Sequence, residues 1–143
     1  MGQSIIDSWC KRMVNQPFQW GINDCHMLLL DFVKLNNPGW NDPHNLENLR
    51  GSYSDWKGAY RVAKTLEIDK WFGELGYKRR PVNRVQTGDV VWVPEPDKTY
   101  DIYMPVVFGE TVICGDAITQ TISLKHIREV APNFEVYRRT DYV

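Results

Sequence analysis

The chain has 143 residues, 43% of them hydrophobic and 24% charged, with a formal net charge of −1. That is enough material for one core and too little for a second domain of ordinary size. Near-neutrality, with Lys78-Arg79-Arg80 as the one short basic run, argues against strong nonspecific nucleic-acid binding. Three cysteines without paired spacing argue against a secreted disulfide framework, and no apolar stretch approaches the length of a membrane span.

Six Trp, seven Tyr and five Phe supply large buried areas, so the fold need not lean on a metal or on disulfides. Cysteine usage points to synthesis in a reducing cytoplasm, and MGQSIIDSWCKRM lacks the charged start and long apolar stretch of a signal peptide.

The first half has helical spacing. Ile5, Ile6, Trp9, Cys10 and Met13 form one stripe, with Ser4 as a cap and Gln16-Pro17 as a stop. A second helix is expected from Asn23 or Asp24 to about Lys34, with Met27, Leu28, Leu30 and Val33 on its apolar face. Asn36-Asn37-Pro38-Gly39 ends it. Residues Trp40 to Tyr53 read as an irregular polar loop. Ser54 or Asp55 caps a third helix through Thr65, with Trp56, Tyr60 and Val62 or Ala63 turned inward. Ile68 to Leu75 is a short fourth helix stopped by Gly76.

The second half changes to strand period. Val85 to Asp89 is a turn leading into VVWV, which Pro94 and Pro96 end. Tyr103 to Phe108, Thr111 to Cys114, Ala117 to Ser123 and Phe134 to Tyr137 are further strands, with Gly109-Glu110 as a tight turn. Short connections imply an antiparallel sheet. Helices followed by strands imply an α+β fold in a single domain over 1–143.

One stretch carries chemistry. In PFQWGINDCH (Pro17 to His26), Cys25 opens the second helix. A helix N-terminus carries unpaired N–H groups and positive partial charge, which favours a thiolate and lowers its pKa below about 8.5. The same N–H groups suit a developing oxyanion, and Gly21 permits a tight turn ahead of them. A cysteine beside an apolar run is equally a small packing residue, so both readings stand on the residues alone.

PFQWGINDC before an apolar helix, followed by GDVVWV at the start of a small sheet, resembles the NlpC-type cell-wall peptidases, which are papain-like cysteine hydrolases. PFQWGINDCHMLLLDFV together with RGSYSDWKGAYRVAK looks like a family of small tailed-phage tail proteins related to that superfamily. The resemblance runs from about Pro17 to Val136. It implies a papain-like fold with N-terminal helices packed on a small antiparallel sheet, and Cys25 as nucleophile. A His at the start of the next strand would be the base, a third polar residue would orient it, and the substrate would be a peptide or amide bond of peptidoglycan.

The sequence departs from that pattern at the base. The strand reads YMPVVFG, so Tyr103 stands where His is expected, with Asp101 nearby; the third polar position falls near Cys114 to Asp116. A phenol with a pKa near 10 is a poor base at neutral pH. His44, in the polar loop, is the alternative base if that loop folds over the site. His26 points away from Cys25 because adjacent helical residues do not face each other, and His126 falls at a surface turn. Trp20 and Asp24 are the candidate substrate-binding residues. Asp24, Cys25 and His26 are consecutive and diverge, no CxxC or HxxxH spacing exists, and no metal or other cofactor is expected.

The resemblance therefore implies a phage tail-associated protein made in the host cytoplasm and carried in the virion tail. Its partners would be other tail proteins and, if catalysis survives, peptidoglycan; nucleic acid and a membrane span are not expected. It is either a cysteine amidase or peptidase, or a catalytically inactive tail-tip or tail-assembly protein in which Trp40, Tyr53 and Trp56 anchor a neighbouring subunit. A host-directed inhibitor is a third reading, for which no residue specifies a target.

Overall fold

Helices come first and strands after, as the change of hydrophobic period implies. The computed structural model describes residues 3–65, 68–80, 84–92, 103–116, 119–130 and 134–139. Four helices lead: α1 (Gln3–Met13), α2 (Cys25–Asn36), α3 (Trp56–Thr65) and α4 (Ile68–Glu74). The strands are β1 (Tyr77–Arg80), β2 (Val90–Trp92), β3 (Tyr103–Phe108), β4 (Thr111–Asp116), β5 (Thr121–His126) and β6 (Glu135–Arg139), with a single-turn helix α5 (Ile127–Val130) between the last two. The expectations for Ala63, Val93, Pro94, Pro96, Asp101 and Ala117 lie outside the described residues or side chains.

The six strands form one sheet in the order β1-β6-β2-β3-β4-β5, with every described pairing antiparallel. The fold is thus mixed α+β. Two elements were not expected from the sequence. Strand β1 reads YKRR, whose charges hide a strand signal until Tyr77 and Arg79 are seen opposite Arg139 and Tyr137. Helix α5 is too short to show a period. The polar loop is also not wholly irregular: Leu46–Leu49 forms a 3₁₀ turn fixed by Asp42, whose carboxylate accepts from the N–H groups of Leu46 and Glu47.

Both faces of the sheet are covered. The larger core lies between α1, α2 and α4 and the face carrying Tyr103, Val107, Ile113, Ile122 and Tyr137. The smaller core, on the opposite face, gathers Val91, Met104, Val106, Val112, Cys114 and Val136 under Ile127 of α5. Alternation along each strand assigns neighbours to opposite faces, which is why Tyr103 and Met104 part company.

Helix α2 is buried nearly all round: every residue from Cys25 to Leu30 is buried, as are Phe32 and Val33. It is a central helix rather than the one-faced helix expected. In α1 the inward stripe is Ile6, Trp9 and Cys10; Ile5, expected with them, lies on its margin and is exposed. Helix α3 corrects the sequence reading more sharply. Trp56 and Tyr60 point outward, 50% and 43% exposed, and meet edge to face at 6.2 Å. The inward face is the small one, Gly58 and Ala59, because α3 approaches its neighbours too closely for bulk: a Cβ on Gly58 would stand 2.6 Å from Cβ of Tyr53. Asp55 caps this helix through the N–H of Gly58 at 2.8 Å.

The GDVV turn is held from below. Asp89 is fully buried and binds Arg138 of β6 in a fork, Nη2 to Oδ2 at 2.8 Å and Nε to Oδ1 at 3.0 Å, while Oδ2 also accepts from the N–H of Gln86. The fork supplies a buried carboxylate with the hydrogen bonds it loses from water. Among the described residues no helix is long and apolar enough to cross a membrane.

Candidate functional site

Residues Gln19 to Asn23 form a tight turn, with the N–H groups of Ile22 and Asn23 both donating to the Gln19 carbonyl at 3.0 and 2.8 Å. Gly21 sits in it at φ +80°, a region glycine enters without strain. Asp24 then caps α2. Its Oδ1 accepts from the N–H of Met27 at 3.0 Å, and its Oδ2 accepts from the N–H of Gly21 at 2.9 Å and from the Tyr53 hydroxyl. Asp24 has no exposed surface, so these three donors replace water around its carboxylate.

Cys25 is the first residue of α2, as the sequence implies. An accessible nucleophile would need an opening above its sulfur, yet the residue keeps 1% of its surface. The RGSY segment packs on the residues just ahead of it. The Gly51 N–H donates to the Gly21 carbonyl at 2.8 Å, Arg50 Nη1 donates to the Ile22 carbonyl at 3.0 Å, and Tyr53 reaches Asp24. Arg50 is itself anchored to Asp31 at 2.7 Å and to Glu47. Its hydrogen bond, with Lys34 adding to it, holds the Glu47 carboxyl down at about 2. A Cβ on Gly21 would fall 2.1 Å from the Tyr53 carbonyl oxygen, so the two segments touch backbone to backbone.

Burial pushes the Tyr53 hydroxyl well above its ordinary pKa, and the neighbouring Asp24 carboxylate and Cys25 thiol push it further. Tyr53 therefore stays a neutral donor. It is not the subunit-facing anchor that the sequence suggested; Trp40 too is turned in, stacked on Trp71 at 5.9 Å. Of those three aromatics Trp56 is the exposed one.

His26, next along, is buried. Its Nε2 lies 2.9 Å from the Ala59 carbonyl of α3, so the ring carries its proton there and leaves Nδ1 as a lone-pair acceptor. Nδ1 has no hydrogen-bond partner among the described residues. Burial lowers the pKa of His26, with the Asp24 charge and the Ala59 carbonyl opposing in part. The sequence shows no sign of this role.

Tyr103 heads β3 on the face toward α2, where the resemblance puts a histidine. Its ring lies 6.0 Å from that of His26. His44 is elsewhere in function: its Nε2 pairs with both carboxylate oxygens of Glu74, at 2.8 and 3.0 Å, at the end of α4. Trp20 is half-buried and rests edge-on against Phe18 at 4.9 Å, which in turn fills the space left by the missing side chain of Gly115. Cys114 faces the second core, away from α2, so it is not a third member of the site. Asp116 pairs with Lys125 at 3.1 Å, and His126 with Glu110 at 2.9 Å. Among the described residues no group of three His, Cys, Asp or Glu side chains is placed to hold a metal ion.

Asp24, Cys25, His26, Tyr53 and Tyr103 thus come together, while His44 is not among them. Chemically the cluster is a hydrogen-bonded joint. Asp24 is committed to three donors and Tyr53 to Asp24, and His26 is neutral with its proton directed at a backbone carbonyl. Sequence reading set His26 aside, and it also missed the role of Tyr53. Its one local signal is Gly51 two residues before it, which allows the close approach to Gly21.

No curated protein and no solved structure matches the chain. Residues 3–130 match the model of a protein family described as a domain of unknown function, DUF6950. The match takes in all four leading helices, the first five strands and the whole Asp24–Tyr53 joint, and the chain belongs to that family.

Proposed function

We propose that the chain is a tail-associated protein of a tailed phage, built on a papain-like scaffold that keeps the position of the nucleophile for packing and not for hydrolysis. The tail assignment rests on the resemblance of PFQWGINDCHMLLLDFV and RGSYSDWKGAYRVAK to small tail proteins. The helix-on-sheet arrangement, with Cys25 opening α2 and β2 beginning within GDVV, is what the papain-like reading requires. The inactive reading is carried by one observation: Cys25 is buried at the α2 N-terminus, and the strand position where the resemblance puts the histidine base holds the phenol of Tyr103, 6.0 Å ring to ring from His26. A hydrolase needs an accessible thiolate and a base within hydrogen-bond reach of it.

Mass spectrometry of purified particles from a phage or prophage carrying this gene tests the assignment. The chain is expected in assembled tails, and its consistent absence from them would overturn the proposal.

The hydrolase reading is favoured by the placement of Cys25 in the first turn of a twelve-residue helix. It predicts that the purified chain releases soluble peptides from peptidoglycan and that Cys25→Ala abolishes release. The proposal expects no release from either protein.

A further inference from the structure

Helix α3 shows to water the bulk that a helix ordinarily hides. Its inward side is Gly58 and Ala59, while Trp56 and Tyr60, one turn apart, stand outward. Lys57 and Arg61 continue the same outward arc, and both are exposed. Neither makes an ion pair among the described residues. The ten residues of α3, WKGAYRVAKT, hold three cationic residues and no acidic one, in a chain whose net charge is −1. Asp55, just ahead of the helix, is engaged at its cap by the Gly58 N–H. Two amphipathic rings flanked by uncompensated cations fit a surface that is negative outside and apolar just beneath.

We propose that α3 docks the protein on an anionic lipid surface, with Trp56 and Tyr60 entering the headgroup layer and Lys57 and Arg61 meeting lipid phosphates. Trp and Tyr favour that layer because each ring is apolar in body and polar at one end. Lys and Arg lay their methylene stems along apolar surface and keep the charge at the level of the phosphates. Area decides against a second protein. The outer side of a ten-residue helix is about 15 Å long and 10 Å wide, far below the roughly 800 Å² that each partner gives to a stable protein interface. A fluid lipid surface adapts to a small ridge and asks for no matching shape. Ring geometry decides against a nucleic-acid strand. Successive bases stack on open ring faces, and these two rings meet edge to face at 61°. This inference does not rest on the tail assignment.

Co-sedimentation of the full chain with vesicles tests it, phosphatidylglycerol mixed with phosphatidylcholine against phosphatidylcholine alone. The wild type is expected to bind the anionic vesicles, to leave them at high salt and to ignore the neutral ones. Each cation near such a surface is worth roughly a factor of five, so Lys57→Gln with Arg61→Gln is expected to weaken binding by about twenty-five-fold. Trp56→Ala with Tyr60→Ala is expected to weaken it by about tenfold or more, with unchanged circular dichroism because both rings stand outside the two cores. Lys78→Gln with Arg80→Gln, on β1, is expected to bind as the wild type does. A wild type that binds no anionic vesicles, an aromatic variant that binds as before, or a β1 variant that loses binding equally would each overturn the proposal. So would tighter binding of the wild type to single-stranded oligothymidylate or to polyglutamate than to the vesicles.

Discussion

Asp24 has both carboxylate oxygens engaged inside the protein and joins the start of α2 to the segment packed on it. Replacing it with Ala removes an N-cap, worth about 1 kcal/mol. It also strands the Gly21 N–H and the Tyr53 hydroxyl, at about 1 kcal/mol or more each. Asp24→Ala is thus expected to lower unfolding free energy by about 3 kcal/mol in urea titration, and a loss under about 1 kcal/mol would show that the joint is not what holds these segments. Gly21→Ala probes the same contact from its backbone side. An L residue at φ +80° costs about 1–2 kcal/mol, and the added Cβ meets the Tyr53 carbonyl oxygen. A loss of more than about 2 kcal/mol is expected. At this scale the sequence was half legible. The start of α2 was readable because an apolar run follows small polar residues, although Asp24 was read as a substrate-binding residue and is the cap. Tyr53 was not, because its partner is 29 residues away and no local period encodes that distance.

Among the elements, α2 shows most clearly what burial does to chemistry. His26 is neutral in the folded chain because its pKa is lowered below the ordinary 6.5. The unfolded chain takes up a proton near 6.5 that the folded chain refuses. Stability from this source is therefore complete above that pH and is lost as pH falls below it, by at most about 2 kcal/mol at pH 5. His26→Gln is expected to flatten the dependence of the urea midpoint between pH 7.5 and pH 5; an equally steep variant would assign the pH dependence to other groups. The Asp89–Arg138 fork sets the other end of the fold. Arg138→Ala leaves a fully buried carboxylate without its cation and is expected to cost about 3 kcal/mol or more in thermal or urea unfolding. A near-neutral result would mean that Gln86 and solvent suffice. Helix and strand types were largely legible because α1, α2 and β3 to β5 carry long periodic runs. The facing of α3 was not. Apolar bulk put Trp56 and Tyr60 inward on paper, yet close packing against Tyr53 and His26 selected the face with no bulk. Strand β1 escaped notice for a related reason: its neighbour β6 arrives from the far end of the chain, and YKRR becomes a strand only beside it.

Across the whole molecule, one antiparallel sheet separates a large core under α1, α2 and α4 from a small one under α5. Cys25 is buried directly after Gly21, Ile22 and Asp24, the residues that the RGSY segment bonds to. Two of the sequence segments that carry the resemblance, WGINDC and RGSY, therefore also close on each other. Their pairing makes both parts of one structural joint. On the reading proposed above, the buried Cys25 thiol packs at that joint. The most direct measurement is the rate at which iodoacetamide modifies Cys25, resolved from Cys10 and Cys114 by peptide mass spectrometry, in native buffer and in denaturing urea. The account predicts modification far slower in the native protein than in the unfolded chain; native modification faster than that of the unfolded thiol would contradict it.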